Sequence, residues 1–368
     1  MAELQGLEGA FVSDTGILSG KRVLITGGTG SLGQVLVRRL LGSELGQPAK
    51  IIVFSRDEAK QNAMRVAYMH APEATDEIIF RNFRELLEFR IGDVRDLHSL
   101  ASVLRSADVV FNAAALKQVP TCEYFPFEAV RTNIAGPENI VTAIQEHELP
   151  VETVVGISTD KACKPVNVMG MTKAIQERVF IQGNMRCPGT RFVCVRYGNV
   201  LASRGSVIPL FRDQIRSGGP LTITTADMTR FLLSLDDAVD TIFEALHTAA
   251  PGETYIPRVP SARMIDVAKV MIGDRDVRTV VTGIRPGEKV HEILVSEEEG
   301  FRTAERSEKH FAILPMLPEL LSSPPTERLL EREYCSADSL MGEQELRKLL
   351  ERHLLADVDR PSNGELLA

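Results

Sequence analysis

The apolar run Arg22-Val23-Leu24-Ile25-Thr26 passes directly into Gly27-Gly28-Thr29-Gly30-Ser31-Leu32-Gly33, and the stretch SLGQVLVRRLL that follows has its apolar residues at helical spacing. That order is strand, glycine turn, helix. Gly27 permits the tight turn, Gly30 lets backbone N–H groups approach a pyrophosphate at the positive helix end, and Gly33 lets the helix pack on a sheet. Strand-like runs recur at 51–54 (IIVF), 89–91 (FRI), 108–114 (DVVFNAA), 153–158 (TVVGIS) and 192–197 (FVCVRY), with helix-length amphipathic segments between them. Such alternation predicts an α/β fold with a Rossmann-type, doubly wound parallel sheet. Beyond about residue 199 the runs shorten and are broken by Gly and Pro, which predicts a smaller α/β domain laid over the sheet. The expected division is 20–200 for the dinucleotide-binding domain, completed by part of 228–250, and 201–319 for the substrate domain. LLSSPPTER (320–328) reads as a linker and GEQELRKLLERHLL (342–355) as an amphipathic helix, so 320–368 is assigned to a linker and C-terminal helix.

A chain of 368 residues exceeds the size at which a single core usually stops growing, and 44% apolar with 25% charged residues excludes disorder as its main state. The formal net charge is −8, but its position matters more than its sum. Residues 292–368 hold 17 Asp/Glu against 9 Lys/Arg, whereas the first 291 residues hold 33 of each. A neutral body of that kind can still build a local cationic pocket. No basic run with interleaved aromatics occurs, so nucleic acid is not expected as a partner. Cys122, Cys163, Cys187, Cys194 and Cys335 form no CxxC pair and no metal-ligand spacing, which predicts a reducing compartment and no metal. The first twenty residues lack a basic region and a long apolar core, and no apolar run reaches the length of a membrane span. A cytoplasmic location without membrane insertion is expected.

The second strand ends at Phe54-Ser55-Arg56-Asp57, where an NAD-binding protein would carry a ribose-binding acid. Ser55 and Arg56 suit a 2′-phosphate instead, so NADP is expected over NAD, with Asp57 as the residue that argues the other way. Asp93, in Gly92-Asp93-Val94 after the third strand, is expected to meet the adenine amine. Asn112-Ala113-Ala114-Ala115 after the fourth strand is small enough to let a nicotinamide ribose come close. Thr26, Gly27, Gly30, Ser31, Leu32, Gly33, Ser55, Arg56, Asp93, Val94, Ala113, Ala114 and Ala115 thus form the expected cofactor wall. Asn133 is expected to hold a helix bend or a water rather than to catalyse. The fifth strand ends in Ser158-Thr159-Asp160-Lys161, at the edge where open α/β sheets place their chemistry. Since neighbours on a strand point to opposite sides, Asp160 and Lys161 are not expected to pair with each other. Met169 and Lys173 lie one helical turn apart, facing those strand ends. Thioether sulfur neither gives nor takes a proton usefully, so Met169 cannot act as a base.

Taken in order, TGGTGSLG, FSRDEAKQ, NAAALKQVP, STDKA with MGMTK, RYGNVLASRGSVIPLF, MTRF and RPGEK resemble the UDP-N-acetylglucosamine 4,6-dehydratases of the extended short-chain dehydrogenase/reductase superfamily. The resemblance runs from about residue 20 to 300 and more faintly through YCSADSLMGEQELRKLL. Most of the superfamily has Tyr-x-x-x-Lys on that helix, whereas Met169 matches one branch of these dehydratases. The resemblance implies NADP held through the cycle and UDP-N-acetylglucosamine or a related nucleotide sugar as substrate. It also implies a 4-keto-6-deoxy product for surface polysaccharide or glycan synthesis, and a homo-oligomer. It places Thr159 near the sugar hydroxyl, makes Asp160 the proton donor to the C6 hydroxyl, and puts Lys173 near the nicotinamide ribose. Lys161 is then the candidate base for the C5 proton. Lys117 and Val119-Pro120 would line the sugar pocket, and Lys117 would also touch cofactor. Asn199 and Ser206 would hold the phosphates, Arg230 and Arg285 would pair with them, and Glu288 would accept from the ribose of uridine. Arg204 and Lys289 add loop cations, while His291 receives no role. The configuration at C5 is left open. A nucleotide-sugar 4-epimerase is the alternative enzyme, and a non-catalytic NADP-binding regulator is the alternative outside enzymes.

Overall fold

The computed structural model describes residues 16–69, 77–201, 206–321 and 329–353. Six parallel strands form its centre: β1 (Arg22–Thr26), β2 (Lys50–Ser55), β3 (Leu87–Ile91), β4 (Val109–Asn112), β5 (Thr153–Ile157) and β6 (Arg191–Val195). In space β6, β5, β4, β1, β2 and β3 follow one another, and Thr254–Pro257, His310–Ile313 and Thr303–Ser307 extend the β6 side to make nine strands. Chain direction across the sheet reverses between β1 and β4, where Thr26 sits opposite Asn112. In open sheets that reversal leaves a crevice at the carboxyl ends of the strands.

Both faces of the sheet are covered, so its strands read as nearly continuous apolar runs rather than alternating ones. The alternation survives in where each side chain goes. Val23, Ile25 and Val53 pack with Leu36 and Leu40 on one face, while Leu24, Ile52 and Phe54 pack with Leu100 and Ile140 on the other. A third core gathers Ile208, Phe211, Leu221, Met264, Val267 and Met271 with Leu346 and Leu350.

The chain re-enters the main sheet after residue 200, because Thr254–Pro257 pairs in parallel with β6 and then in antiparallel with His310–Ile313. The expected C-terminal helix forms over Glu343–Arg352 and packs into the third core. The predicted linker and the end of that helix fall largely outside the described residues.

Behind the end of β5 lies a buried ionic network. The Arg196 guanidinium contacts Glu177 at 2.7 Å and 3.0 Å, Glu299 at 2.8 Å and 3.0 Å, and the Leu294 carbonyl at 2.8 Å. Ser158 Oγ donates to Glu177 at 2.5 Å. All N–H directions of the guanidinium are thereby used, and three distant segments are tied to the residue before Thr159. Among the described residues no helix is long and apolar enough to cross a membrane, and no cluster of His, Cys, Asp and Glu is arranged to hold a metal. All five cysteines are buried free thiols.

Candidate active site

A cleft of about 1190 Å³ opens along the carboxyl ends of β1, β2, β4 and β5 and runs on to the smaller lobe. Its first wall is the glycine turn. Gly27 has φ +68°, and a Cβ there would lie 2.8 Å from the Ala114 backbone. A Cβ on Gly33 would meet the Gly28 Cα at 2.5 Å, so helix Ser31–Leu41 can sit this close to the turn only without one. Gly30 is the N-cap of that helix, and Gly30, Ser31, Leu32 and Gly33 all line the cleft. Thr26 does not. Fully buried, its hydroxyl donates to Asn112 Oδ1 at 2.7 Å and accepts from the Ala114 N–H at 3.3 Å. Its expected cofactor contact is therefore corrected to a structural one, joining β1 to the β4 turn that presents Ala113, Ala114 and Ala115 to the cleft.

At the end of β2 the acid that argued for NAD is otherwise engaged. Asp57 Oδ1 accepts from the Lys60 N–H at 3.0 Å, and its Oδ2 lies 2.9 Å from Lys60 Nζ. The carboxylate caps the first turn of helix Glu58–Met69. Ser55 accepts from Gln61 at 3.0 Å, and Arg56 is half exposed at the rim, 3.6 Å from Asp93. Asp93 itself is taken by Arg95, whose Nε and Nη2 lie 2.8 Å and 2.6 Å from Oδ2. Burial would raise the Asp93 carboxyl, but Arg95 holds it below the usual carboxylate range. Val94 is buried beside it. Lys60 faces the same rim, a cation that strand-end reasoning missed because it lies one turn into the next helix.

Asn133 ties its helix to two neighbouring segments. It sits in a π-helical segment, Arg131–Ala135, where it accepts from the Leu116 N–H at 2.8 Å and donates to the Leu116 carbonyl at 2.9 Å and to Thr172 Oγ1 at 3.0 Å. The segment running from Leu116 through Lys117 into the short helix Val119–Tyr124 is thus fixed against helix Val168–Arg186.

The catalytic candidates meet at the end of β5. That strand stops at Ile157, and Asp160–Ala162 forms a single 3-10 turn capped by Thr159. Alternation of side chains therefore no longer applies, and Asp160 and Lys161 do pair, with Nζ 3.1 Å from Oδ1. On its other side Lys161 Nζ lies 3.0 Å from Glu292, a residue to which sequence reasoning assigned nothing. Thr159 donates to Asp160 Oδ1 at 2.8 Å. Burial raises the Asp160 carboxyl above its ordinary value, and Glu292 adds to this against the pull of Lys161. Burial would lower the Lys161 ammonium, yet Asp160 and Glu292 together hold it above its ordinary value. Asp160 Oδ2 and Glu292 Oε2 are buried without a hydrogen-bond partner among the described residues.

Met169 and Lys173 share one face of helix Val168–Arg186, as the spacing predicts, and both line the cleft. Met169 packs with Cys122 and Ala129. Lys173 Nζ donates to the Ile157 carbonyl and to Gln176 Oε1, and burial lowers it to about 8.

The smaller lobe supplies the opposite wall. Ser206 occupies the N-cap position of helix Val207–Arg216, and both Ser206 Oγ and Asn199 Oδ1 are buried without a hydrogen-bond partner among the described residues. Arg285 is exposed at the cleft, while Glu288 Oε2 is buried without a hydrogen-bond partner among the described residues. Arg230 differs from expectation. Its guanidinium donates to the carbonyls of Thr229, Lys289 and Val290 at 2.7–3.1 Å and lies 3.8 Å from Glu292, so most of its donors are already spent inside the wall. Lys289 Nζ likewise donates to the Cys163 carbonyl at 2.6 Å. Arg204 lies outside the described residues. His291 is turned to Thr229 Oγ1 at 2.8 Å.

The sequence profile of a family described as polysaccharide biosynthesis protein matches residues 23–314. A UDP-glucose 4-epimerase of Rickettsia typhi is 44% identical over 285 residues, 76% of this chain and 79% of that protein. Among solved structures, Pen from Bacillus thuringiensis has a TM-score of 0.80 at 33% identity, covering 92% of this chain and 99% of its own. A dTDP-glucose 4,6-dehydratase from Streptomyces venezuelae, solved with NAD bound, has a TM-score of 0.59 at 22% identity, covering 73% and 86%; that likeness is one of fold.

Proposed function

The chain belongs to the polysaccharide biosynthesis protein family, and from that premise we propose that it modifies nucleotide sugars, as an NADP-dependent 4,6-dehydratase of UDP-N-acetylglucosamine. The observation that carries this reading is the buried Asp160 carboxyl, with one oxygen unpartnered, beside Lys161 at the cleft wall. Removing a C5 proton and expelling a C6 hydroxyl needs both an acid and a base at one point.

A dinucleotide fits the first wall, since Gly27 and Gly33 leave no room for side chains and helix Ser31–Leu41 aims its N-terminus at the cleft. Bound there, its nicotinamide supplies acceptance of a hydride from C4 of the sugar and its return to C6. Lys173 holds a positive charge near the reacting hydroxyl, and Thr159 offers that hydroxyl a hydrogen-bonded path toward Asp160. The ketone formed at C4 acidifies the C5 proton, which Lys161 takes while Asp160 protonates the departing C6 oxygen. Asn199, Ser206 and Arg285 hold the diphosphate, and Glu288 accepts from the ribose of uridine. Met169 contributes shape, packed against Cys122.

NADP preference follows from Arg56 and Lys60 at the rim together with the diversion of Asp57 to a helix cap. Arg56→Ala is expected to weaken NADPH binding about tenfold, the loss of one charge-assisted contact, and to leave NADH binding unchanged. Fluorescence titration of the two cofactors measures it; an unaltered NADPH affinity would remove Arg56 from the site.

The name of the Rickettsia typhi relative favours a second reading, 4-epimerisation. In that reaction C5 and C6 lose nothing, so Asp160 has no proton to deliver. Mass spectrometry of the product formed from UDP-N-acetylglucosamine separates the two. Dehydration removes the mass of one water, whereas epimerisation leaves the mass unaltered.

A further inference from the structure

Glu292 reaches the cleft from a segment held in place by distant parts of the chain. Its N–H donates to Ser336 Oγ at 2.9 Å, and its carbonyl accepts from the Ser336 N–H at 2.8 Å. Next to it Ile293–Val295 pairs in antiparallel with Tyr334–Cys335. The side chain is 2% exposed, with Oε1 3.0 Å from Lys161 Nζ and 3.8 Å from Arg230 Nε. Lys161 is therefore suspended between two acids, each with one buried oxygen lacking a partner among the described residues.

We propose that Glu292 is a positioning residue that fixes the Lys161 amine beside Asp160 and exchanges a proton with it; this rests on the dehydratase reading above. An ammonium has no lone pair with which to accept the C5 proton. The cycle that solves this is closed in protons. The proton released from the C4 hydroxyl passes through Thr159 to Asp160, which becomes the acid. In the resting site burial would raise the Glu292 carboxyl, but Lys161 and Arg230 keep it below its usual range; once Asp160 is neutralised by the C4 proton, Lys161 loses one of the two carboxylates that hold its ammonium and gives a proton to Glu292, leaving a neutral amine. That amine takes the C5 proton as Asp160 protonates the C6 oxygen, the C6–O bond breaks, and water departs. When the hydride removed from C4 returns to C6, Lys161 gives its proton back to C5 and recovers the one lent to Glu292. Each of the three side chains then stands as it began, and the proton lost in water is the one that left the C4 hydroxyl.

Other charges around this pair are Asp160 and Arg230 in the same wall and Lys289, whose Nζ is on the Cys163 carbonyl; the His291 ring is bonded to Thr229. None of these can replace Glu292 as the second acceptor for Lys161, since Asp160 is occupied as the acid.

The test is Glu292→Gln in the cofactor-loaded enzyme. At neutral pH its kcat is expected to fall about 100-fold with KM within about twofold, the size of one general-base contribution. Because solvent must then take the Lys161 proton, kcat of the variant climbs with pH, a climb absent from wild type. Glu292→Asp restores part of the rate. Independently of turnover, the Nζ titration of Lys161, followed by NMR on 13Cε-lysine protein with Lys161→Arg for assignment, moves to lower pH in Glu292→Gln. An unmoved midpoint, or a loss of kcat equal at every pH, overturns the proposal. A midpoint that moves in an enzyme that never dehydrates the sugar retires the dehydratase reading and upholds the coupling. Should Glu292→Gln fail to fold, Glu292→Asp carries the same titration.

Discussion

Asp160→Asn is expected to lower kcat for dehydration by about 10²–10⁴-fold while cofactor affinity stays at the wild-type level. Asparagine keeps the volume of the side chain and an oxygen for the Thr159 hydroxyl and Lys161 ammonium, which lie 2.8 Å and 3.1 Å from Asp160 Oδ1. What it loses is the removable proton, at a position that is 1% exposed and cannot borrow one from bulk water. Lys161→Ala should cost a similar factor. Single-turnover assays with bound NADP would separate the steps: hydride transfer from C4 continues in Lys161→Ala while loss of the C6 hydroxyl stops, whereas Asp160→Asn, which has no carboxylate to receive the C4 hydroxyl proton, slows both. Wild-type turnover in Asp160→Asn would show that no proton passes through that carboxyl.

The glycine-turn half of this cleft was legible in the sequence because its physics is local. A glycine turn between a strand and a helix carries its own reason in consecutive residues, and the observed φ of Gly27 and the close pass of Gly33 over Gly28 are what the spacing demands. Met169 and Lys173 were equally legible, since helical periodicity alone puts them on one face. Asp160 and Lys161 were misjudged by one local detail: β5 stops at Ile157, so the pair sits on a turn where both side chains can face the same way. Asp57 and Asp93 were visible as acids at strand ends, but their partners Lys60 and Arg95 lie on the elements that follow. Glu292 could not be found locally at all. Its placement depends on Ile293–Val295 meeting Tyr334–Cys335, and by charge count it looked like part of an acidic surface. Arg230 was visible as a cation near the right loop and it does line the cleft, but the carbonyls of Thr229, Lys289 and Val290 that take three of its donors are set by the fold and not by local sequence.

A second large effect is expected away from the chemistry. Arg196→Met should destabilise the fold by about 3–5 kcal/mol, because it removes the shared partner of two buried carboxylates, Glu177 and Glu299, and leaves both charges in the interior. Methionine preserves much of the volume, so the loss reports charge rather than a cavity. Chemical denaturation of the two proteins measures it directly. The network also sets an acid limit in wild type. Burial would raise the Glu299 carboxyl, but Arg196 outweighs that and brings it down to about 2, against 4.5 unperturbed. A carboxyl depressed in the folded state stabilises above its unfolded pKa, and that contribution is lost as pH falls toward the folded value. Stability from this group should therefore be full above about pH 4.5 and vanish toward pH 2, and Arg196→Met should lose that slope. An unchanged acid limb in the variant would mean that Arg196 does not hold Glu299. Since Ser158 donates to Glu177 immediately before Thr159, a folded Arg196 variant should also show reduced kcat.

The dehydratase reading comes down to whether the acid and base at the end of β5 act on C5 and C6 of a sugar. Proton NMR of the product formed from UDP-N-acetylglucosamine by the NADP-loaded enzyme reads this in one spectrum. The account predicts that the C6 hydroxymethyl signals are replaced by a methyl doublet coupled to C5, with a keto group or its hydrate at C4. A product that keeps its C6 hydroxymethyl group and differs only in configuration at C4 would contradict it.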